Sequence, residues 1–521
     1  MGGRRAAALA AACLAGSVVA AQLLTGSTGA QAPERPNIVF LLTDDQTAEQ
    51  MRVMPLTKSR IGGHGVTFKR SYVSYPLCCP ARATQLTGQF AHNNGVRQNG
   101  GPNGGYDELK GDHTVAVALQ GAGYRTVHIG KYLNGYGGPP KGGKDVPPGW
   151  DEWHGAIARN GQASAESLYY NYYLNNNGTV SFYGAKSDHY KTDVVRHKAV
   201  KTIRRLVDER PDQPFFINVS LPAPHWPWHK APRHRDRYRN AALPRPPSFN
   251  EPSMRDKSNW LRAATHRLTS RNIDVITRSY RKRLGTLVTA DDAVDRIVAA
   301  LRAEGVLDNT YVIFASDNGF FIGEHRIPDG KYLPYEPSSR VPLMIRGPGI
   351  PENRSTTEFV SNVDWTPTML DAADAAPVVT QDGRSLLPHA ENPSLRTDRA
   401  LLLESTRFGS GRCESAEQAS VSDLNQDGTT LPEAGGPDAT ASGISIRTYH
   451  AIRVPGYMLV EYSNCERELY DISKDPHQLH AKGGTGRYRP VRDALLAELR
   501  RLSLCVGEDC NQEMAPLPDP D

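Results

Sequence analysis

Short apolar runs, each ending in polar or acidic residues, punctuate the first three quarters of this chain. Pro36–Leu42, Phe215–Ser220 and Asn309–Ala315 are too short for helices and apolar without alternation, as expected of parallel strands buried on both faces. Tyr124–Asn134 and Arg340–Gly349 read as further strand-and-turn units. Between them, apolar positions recur at helical spacing. Val115–Ala122 is a short amphipathic helix, Asp188–Arg210 is a longer one through Val194, Val195, Ile203, Leu206 and Val207, and Leu284–Gly305 is a third. Asp364–Ala372 closes this pattern, and after about residue 395 the texture changes. Leu401–Glu404, Tyr449–Val454, Tyr457–Tyr462 and Glu468–Ile472 predict the short strands of a small second sheet. A Gly/Ser/Asp-rich loop from Phe408 to Gly443 interrupts them, and Val491–Leu502 is a terminal helix started by Pro490. Within that loop Asp423–Gly428 imitates the start of a calcium loop, but the twelfth position is Ala434, so it is set aside.

The chain has 521 residues, so a large domain plus a smaller one is the expectation: residues 1–32 a leader, 33–395 the main domain and 396–521 the second. The leader has Arg4 and Arg5, an Ala/Leu/Val-rich run and then small residues, the pattern of an export signal. Cleavage is expected after Ala30-Gln31-Ala32 or earlier near Ala20-Ala21, with lipid attachment at Cys13 ranked below a plain signal. The expected location is secreted or extracytoplasmic. No other apolar run is long enough to span a membrane, so no anchor is expected in the mature chain. Net charge is +5, from 61 basic and 56 acidic residues, too mild and dispersed to indicate nucleic acid. From Lys230 to Arg283 basic residues strongly outnumber acids, which suggests a surface that guides a polyanion.

Candidate chemistry sits where the strands end. Asp44-Asp45 follows the first run and Asp317-Asn318 follows Asn309–Ala315. A repeated strand-then-acid junction points to a metal site built from two strand ends, and hard oxygen ligands suit Ca²⁺ or Mg²⁺. Tyr75-Pro-Leu-Cys78-Cys79-Pro80-Ala-Arg82 places a thiol at a helix start, with Arg82 four residues on. His225 lies among prolines and tryptophans in Leu221–Trp228, on a fixed extended loop. In an exported chain Cys505 and Cys510 form one natural disulfide and Cys413 and Cys465 a second, which leaves Cys78 and Cys79 unpaired.

Cys78-Cys79-Pro80-Ala81-Arg82 with Thr87-Gly88 resembles the signature of the formylglycine-dependent type I sulfatases, and the resemblance runs from about Arg35 to Cys510. The chain is most similar to the N-acetylglucosamine-6-sulfatase and heparan endosulfatase branch, through His92-Asn93, Gly130-Lys131-Tyr-Leu-Asn134 and Tyr335-Glu336. The resemblance implies an α/β fold of the alkaline-phosphatase type, a sandwich with a mostly parallel central sheet and a small C-terminal antiparallel sheet. It implies that Cys78, not Cys79, is oxidised to formylglycine by a formylglycine-generating enzyme, and that the hydrate attacks sulfur. It assigns Asp44, Asp45, Asp317 and Asn318, with the oxygen at position 78, to Ca²⁺ or Mg²⁺, and Arg82, Lys131 and Lys331 to the sulfate pocket. A histidine, His225 or His325, would protonate the leaving alcohol. Some sulfatases carry a histidine where this chain has Leu133, so that role is absent or passes to Asn134 or His128. The implied activity is hydrolysis of a sulfated sugar or aryl sulfate. The alternatives are a phosphodiester or phosphonate monoester hydrolase of the same superfamily, or an inactive relative that binds sulfated glycans.

Overall fold

The first strand sorts its side chains into two cores. In the computed structural model, Ile38, Phe40 and Leu42 point into one buried layer, while Val39 and Leu41 point into the other. All five are almost wholly excluded from water, each contributing roughly 1.5–3 kcal/mol by burial. The structure describes residues 35–138, 142–157, 168–405, 447–483 and 486–520. The leader, Cys13, Cys413 and the 408–443 loop with its calcium-like string lie outside the described residues.

The main sheet comprises β1 (Asn37–Thr43), β2 (Val66–Tyr72), β3 (Arg125–Gly130), β4 (Glu152–Ile157) and β5 (Tyr172–Asn176). It continues with β6 (Thr179–Tyr183), β7 (Phe215–Ser220), β8 (Thr310–Ser316), β9 (Leu343–Arg346) and β10 (Arg354–Ser361). Their order is β10-β2-β9-β8-β1-β7-β3-β4-β5-β6. The run β8-β1-β7-β3-β4 is parallel throughout, while β9, and the β5-β6 hairpin at one edge, bring in the antiparallel pairs. Helices α1 (Cys78–Thr87), α2 (Val115–Gly121) and, later in the chain, Trp365–Ala372 cover one face. On the other lie α3 (Lys191–Glu209) and α4 (Ser270–Ala303). Helix α4 starts well before the expected Leu284, because Thr269 and Asn272 form a capping box at Ser270, ahead of the basic positions Arg278, Arg281 and Arg283. With Trp365–Ala372 as α5, the sheet is covered by helices on both faces.

The second sheet is antiparallel, in the order β11 (Leu401–Glu404), β12 (Tyr449–Val454), β13 (Tyr457–Tyr462) and β14 (Arg467–Asp471). The terminal helix α6 (Arg489–Leu502) packs Leu495, Leu499 and Leu502 onto Ile452, Leu459 and Leu469. Cys505 and Cys510 are disulfide-bonded, as expected. This small sheet bears on the main one at positions that matter later. The Glu404 N–H donates to the Ser74 carbonyl at 2.8 Å, and Tyr335 Oη donates to Glu468 Oε2 at 2.6 Å. Buried Lys257 donates to the Gln478 carbonyl at 2.8 Å. No helix among the described residues is long and apolar enough to cross a membrane.

One of these junctions is ionic. His92, just beyond α1, sets Nδ1 2.9 Å from Glu404 Oε2 and Nε2 3.0 Å from the Cys505 carbonyl. Burial would lower the pKa of this imidazole, but the Glu404 charge and these hydrogen bonds push it up to about 9. A histidine with a raised folded-state pKa stabilises fully below its unfolded value near 6.5, and that contribution is lost as pH rises through about 9. The thermal midpoint is therefore expected to fall between pH 7 and 10, by an amount worth up to about 3 kcal/mol. In His92→Gln that part of the slope is expected to vanish, as calorimetry across this pH range would report.

Candidate active site

Register brings the two acidic junctions together. Thr43 and Ser316 are the last residues of parallel neighbours β1 and β8 and pair directly, so the residues after them emerge side by side. The Asp45 N–H donates to Asp317 Oδ1 at 3.1 Å, and the Asp317 N–H donates to the Thr43 carbonyl at 3.2 Å. On the other flank, Gly130 of β3 pairs with Ser220 of β7, which delivers Lys131 to the same sheet end. The Asp44 N–H donates to the Ala223 carbonyl at 3.0 Å and so draws in the loop that carries His225.

Helix α1 begins at Cys78 as the sequence indicates, after Leu77 in an extended conformation. The Cys79 N–H is capped by Asn99 Oδ1 at 2.9 Å. Cys78 is fully buried, with its Sγ 2.8 Å from Lys331 Nζ and 3.7 Å from Asp44 Oδ1. Cys79 turns away, its Sγ accepting from the Asn134 N–H at 3.1 Å. One turn along the helix, Arg82 donates Nε to Asp317 Oδ2 at 2.8 Å, Nη2 to Asp44 Oδ2 at 3.2 Å and Nη1 to Ser220 Oγ at 2.6 Å. Lys131 Nζ lies 2.6 Å from Asp44 Oδ2, and Lys331 Nζ 2.6 Å from Asp45 Oδ1.

These charges set one another. Burial alone would raise the pKa of Asp44, but Lys131, His225, Arg82 and Lys331 hold it well below the usual carboxylate range. Asp317 goes the other way, pushed up first by burial and then by the facing charge of Asp44, against the pull of Arg82. Burial works against the charge of Arg82, yet Asp317, Asp44 and Cys78 raise its pKa further.

The donor set fits a divalent cation. Carboxylate oxygens of Asp44, Asp45 and Asp317 all lie within 4.8 Å of one another, and Asp44, Cys78 and His225 form a second such group. Asp45 Oδ2 and Asn318 Oδ1 are buried and, among the described residues, accept no hydrogen bond. Buried oxygen acceptors left in that state are expensive unless a cation takes them, and oxygen ligands of this kind suit Ca²⁺ or Mg²⁺. Asp45 also has φ of 70°, a left-handed conformation costly for a non-glycine residue and concentrated at functional sites.

The candidate histidines separate. His225 is buried, donates Nδ1 to the Trp226 carbonyl at 2.6 Å, and sets Nε2 3.8 Å from Asp45 Oδ2. His325 is also buried but lies against Tyr335, with Nδ1 2.8 Å from Glu251 Oε2, and its described contacts do not include Cys78 or the acidic cluster. Burial pushes its pKa down, despite Glu251. His128 is packed among Trp153, Trp150 and Tyr132, and burial pushes it down to about 3, which makes it a neutral core residue.

The basic stretch from 230 to 283 does not act as one surface. Arg235, Arg237 and Arg239 are exposed, but Lys257 is wholly buried against Glu251, and Arg283 lies beneath the site. Arg283 donates Nη2 to the Asp45 carbonyl and Nη1 to the Pro224 carbonyl at 3.3 Å, with its guanidinium 4.1 Å from the Phe320 ring centroid. It thereby fixes both Asp45 and the His225 loop. Its local sequence, Arg281-Lys-Arg283, looks like surface charge, and only its phase on α4, shared with buried Ile276 and Leu287, could have marked it as inward. Arg283→Met is expected to leave two buried carbonyls without donors and to cost about 3 kcal/mol of stability. It should also weaken cation binding, measured by calorimetric Ca²⁺ titration of protein that still melts cooperatively. Unchanged Ca²⁺ affinity would remove the positioning role.

Comparison with known proteins agrees with this geometry. The sequence profile of the Sulfatase family matches residues 36–375. The chain is 34% identical over 504 residues to human N-acetylglucosamine-6-sulfatase, covering 91% of this chain and 86% of that protein. It is 39% identical over 356 residues to the Sulf-1 homolog of Caenorhabditis elegans, named as an extracellular sulfatase, covering 67% of this chain and 48% of that protein. The chain thus spans about half the length of that relative. A solved structure in complex with its substrate D-glucosamine-2-N,6-O-disulfate superposes with a TM-score of 0.69 at 25% identity, covering 92% of this chain and 98% of the other. By the profile match, the relatives and the strand-end site they share a fold with, this chain belongs to the sulfatase family.

Proposed function

We propose that the protein is a sulfuric ester hydrolase acting on a sulfated amino sugar of the N-acetylglucosamine-6-sulfate kind, with Cys78 matured to formylglycine and Ca²⁺ as the bound ion. The carrying observation is the position of Cys78: its Sγ lies between Lys331 and Asp44, at a helix start, over a cluster of three carboxylates. A thiol used only for packing would not need a lysine at 2.8 Å. The sugar assignment draws on the human relative's name and on the substrate of the solved neighbour.

When present, the aldehyde hydrate supplies a nucleophilic hydroxyl and a second hydroxyl that lets sulfate leave, while the ion supplies Lewis acidity. Asp44, Asp45, Asp317 and Asn318 would hold that ion. The chain's own side chains do the remainder. Arg82 fixes Asp44 and Asp317 in one geometry, since its planar fork reaches both. Lys131 and Lys331, held against Asp44 and Asp45, would offset the negative charge that builds as the ester bond breaks, Lys331 from a buried setting where such charge acts strongly. For the leaving alcohol, His225 is better placed than His325, because its Nε2 faces the acidic cluster while His325 is held on Glu251. Burial of Cys78 and the carboxylates keeps bulk water from competing. The leader and the extracellular relatives favour work outside the cytoplasm, with maturation by a formylglycine-generating enzyme.

Four measurements test this reading. Peptide mass spectrometry across Tyr75–Arg82 is expected to show formylglycine at position 78, and unmodified cysteine in protein from its natural host would remove the nucleophile. N-acetylglucosamine-6-sulfate is expected to be hydrolysed faster than a phosphonate monoester, a ranking whose reversal would favour the phosphonate hydrolases. Lys331→Ala should lower kcat by about 10²–10³-fold. In Cys78→Ser the serine oxygen can take sulfate from the ester but has no second hydroxyl to expel it. That variant is expected to retain sulfate on the protein.

A further inference from the structure

Away from Cys78, the surface beside β2, β9 and β10 opens into a groove of about 650 Å³. None of the residues that build the acidic cluster lines it. Four cations do: Lys58, Lys69, Arg340 and Arg354, with no aspartate or glutamate among the lining residues. Lys58, Lys69 and Arg354 are exposed and have no ion-pair partner among the described residues. Arg340 is the anchored member, its Nε donating to the Lys69 carbonyl at 3.1 Å and its Nη1 lying 3.7 Å from Glu336. Phe68 and Met344 also border the groove, but both are buried in the cores on opposite faces of the sheet, so the accessible lining is set by the cations with Ser59, Thr67 and Asn353.

This combination selects a class of occupant. Like charges left together without counter-ions repel one another, so they favour a ligand that brings several negative charges. A single inorganic anion would neutralise only part of a set of four cations. An apolar peptide would leave the cations without counter-charges. A sulfated saccharide carries several sulfates or carboxylates along one chain, with hydroxyls that suit Ser59, Thr67 and Asn353, and the volume falls in the range of small-ligand clefts.

We propose that this groove is a second saccharide-binding site, which holds an anionic stretch of the same glycan chain whose sulfate ester enters the catalytic site. It rests on the sulfated-sugar reading and extends it: the natural substrate is an oligomer held at two places, so that the second contact raises the local concentration of the first.

The test compares the full-length chain with Lys58→Glu/Arg354→Glu and with the milder Lys58→Gln/Arg354→Gln. The probe is a heparin-derived tetrasaccharide, titrated calorimetrically at low salt, alongside turnover of monomeric N-acetylglucosamine-6-sulfate. Charge reversal is expected to weaken tetrasaccharide binding by about tenfold or more, with a smaller effect for the neutral pair. Turnover of the monosaccharide should stay within about twofold in both, since neither position touches the catalytic groups. Equal affinity in wild type and both variants overturns the proposal, as does a wild type that does not bind the tetrasaccharide. Displacement by inorganic sulfate at the same concentration as the tetrasaccharide also overturns it, by reducing the groove to an anion site only. If the monosaccharide is not hydrolysed but the groove variants still weaken tetrasaccharide binding, the substrate reading falls and the groove stands.

Discussion

Three buried carboxylates facing three cations, Arg82 and Lys331 buried and Lys131 half-buried, are the constraint on which the rest of this structure depends. Asp44, Asp45 and Asp317 sit within 4.8 Å of one another, out of contact with water. Unscreened, that arrangement would cost many kcal/mol, and the groups would neutralise themselves by taking up protons. Lys131, His225, Arg82 and Lys331 prevent this for Asp44, whereas Asp317 is pushed up first by its burial and then by the facing charge of Asp44. A divalent cation is the natural complement to what remains.

Much of the fold can be read as the means of holding those six side chains still. Parallel strands β1 and β8 deliver two acidic junctions at one sheet end because Thr43 and Ser316 share a register position. Strands β3 and β7 do the same for Lys131 and the His225 loop. The small sheet acts through the segment around Lys331: Tyr449 donates to the Tyr332 carbonyl, and Tyr335 to Glu468. A lysine with a flexible stem is thereby carried on backbone tied to two sheets. The function of the second sheet is then partly positional, although it supplies none of the clustered residues.

Much of this was visible in the chain before any folding. The buried strands 36–42, 215–220 and 309–315 each coincide with an observed strand to within one or two residues, because a strand buried on both faces leaves an uninterrupted apolar run. The start of helix α1 at Cys78 followed from Pro80, whereas the choice of Cys78 over Cys79 came from the resemblance to the sulfatase signature. Less legible were β2, β6 and β10, whose mixed burial leaves a broken pattern, and the first half of α4, which reads as surface charge.

By itself, the sequence determined the chemistry on offer: a cysteine at a helix start, two strand-acid junctions, and lysines and histidines at matching places. These are local properties, set by residue type and by spacing along a single element. What only the tertiary structure decided was which of them meet. His225 and His325 look equally fit in one dimension, yet one faces Asp45 and the other is held on Glu251. Arg283 belongs to a basic run, yet it bonds the Asp45 carbonyl from beneath. Lys58, Lys69, Arg340 and Arg354 are scattered over nearly three hundred residues and share a groove only because β2 lies between β9 and β10. Each outcome depends on strand order and register, which arise from the whole core packing at once and leave no mark at any single position.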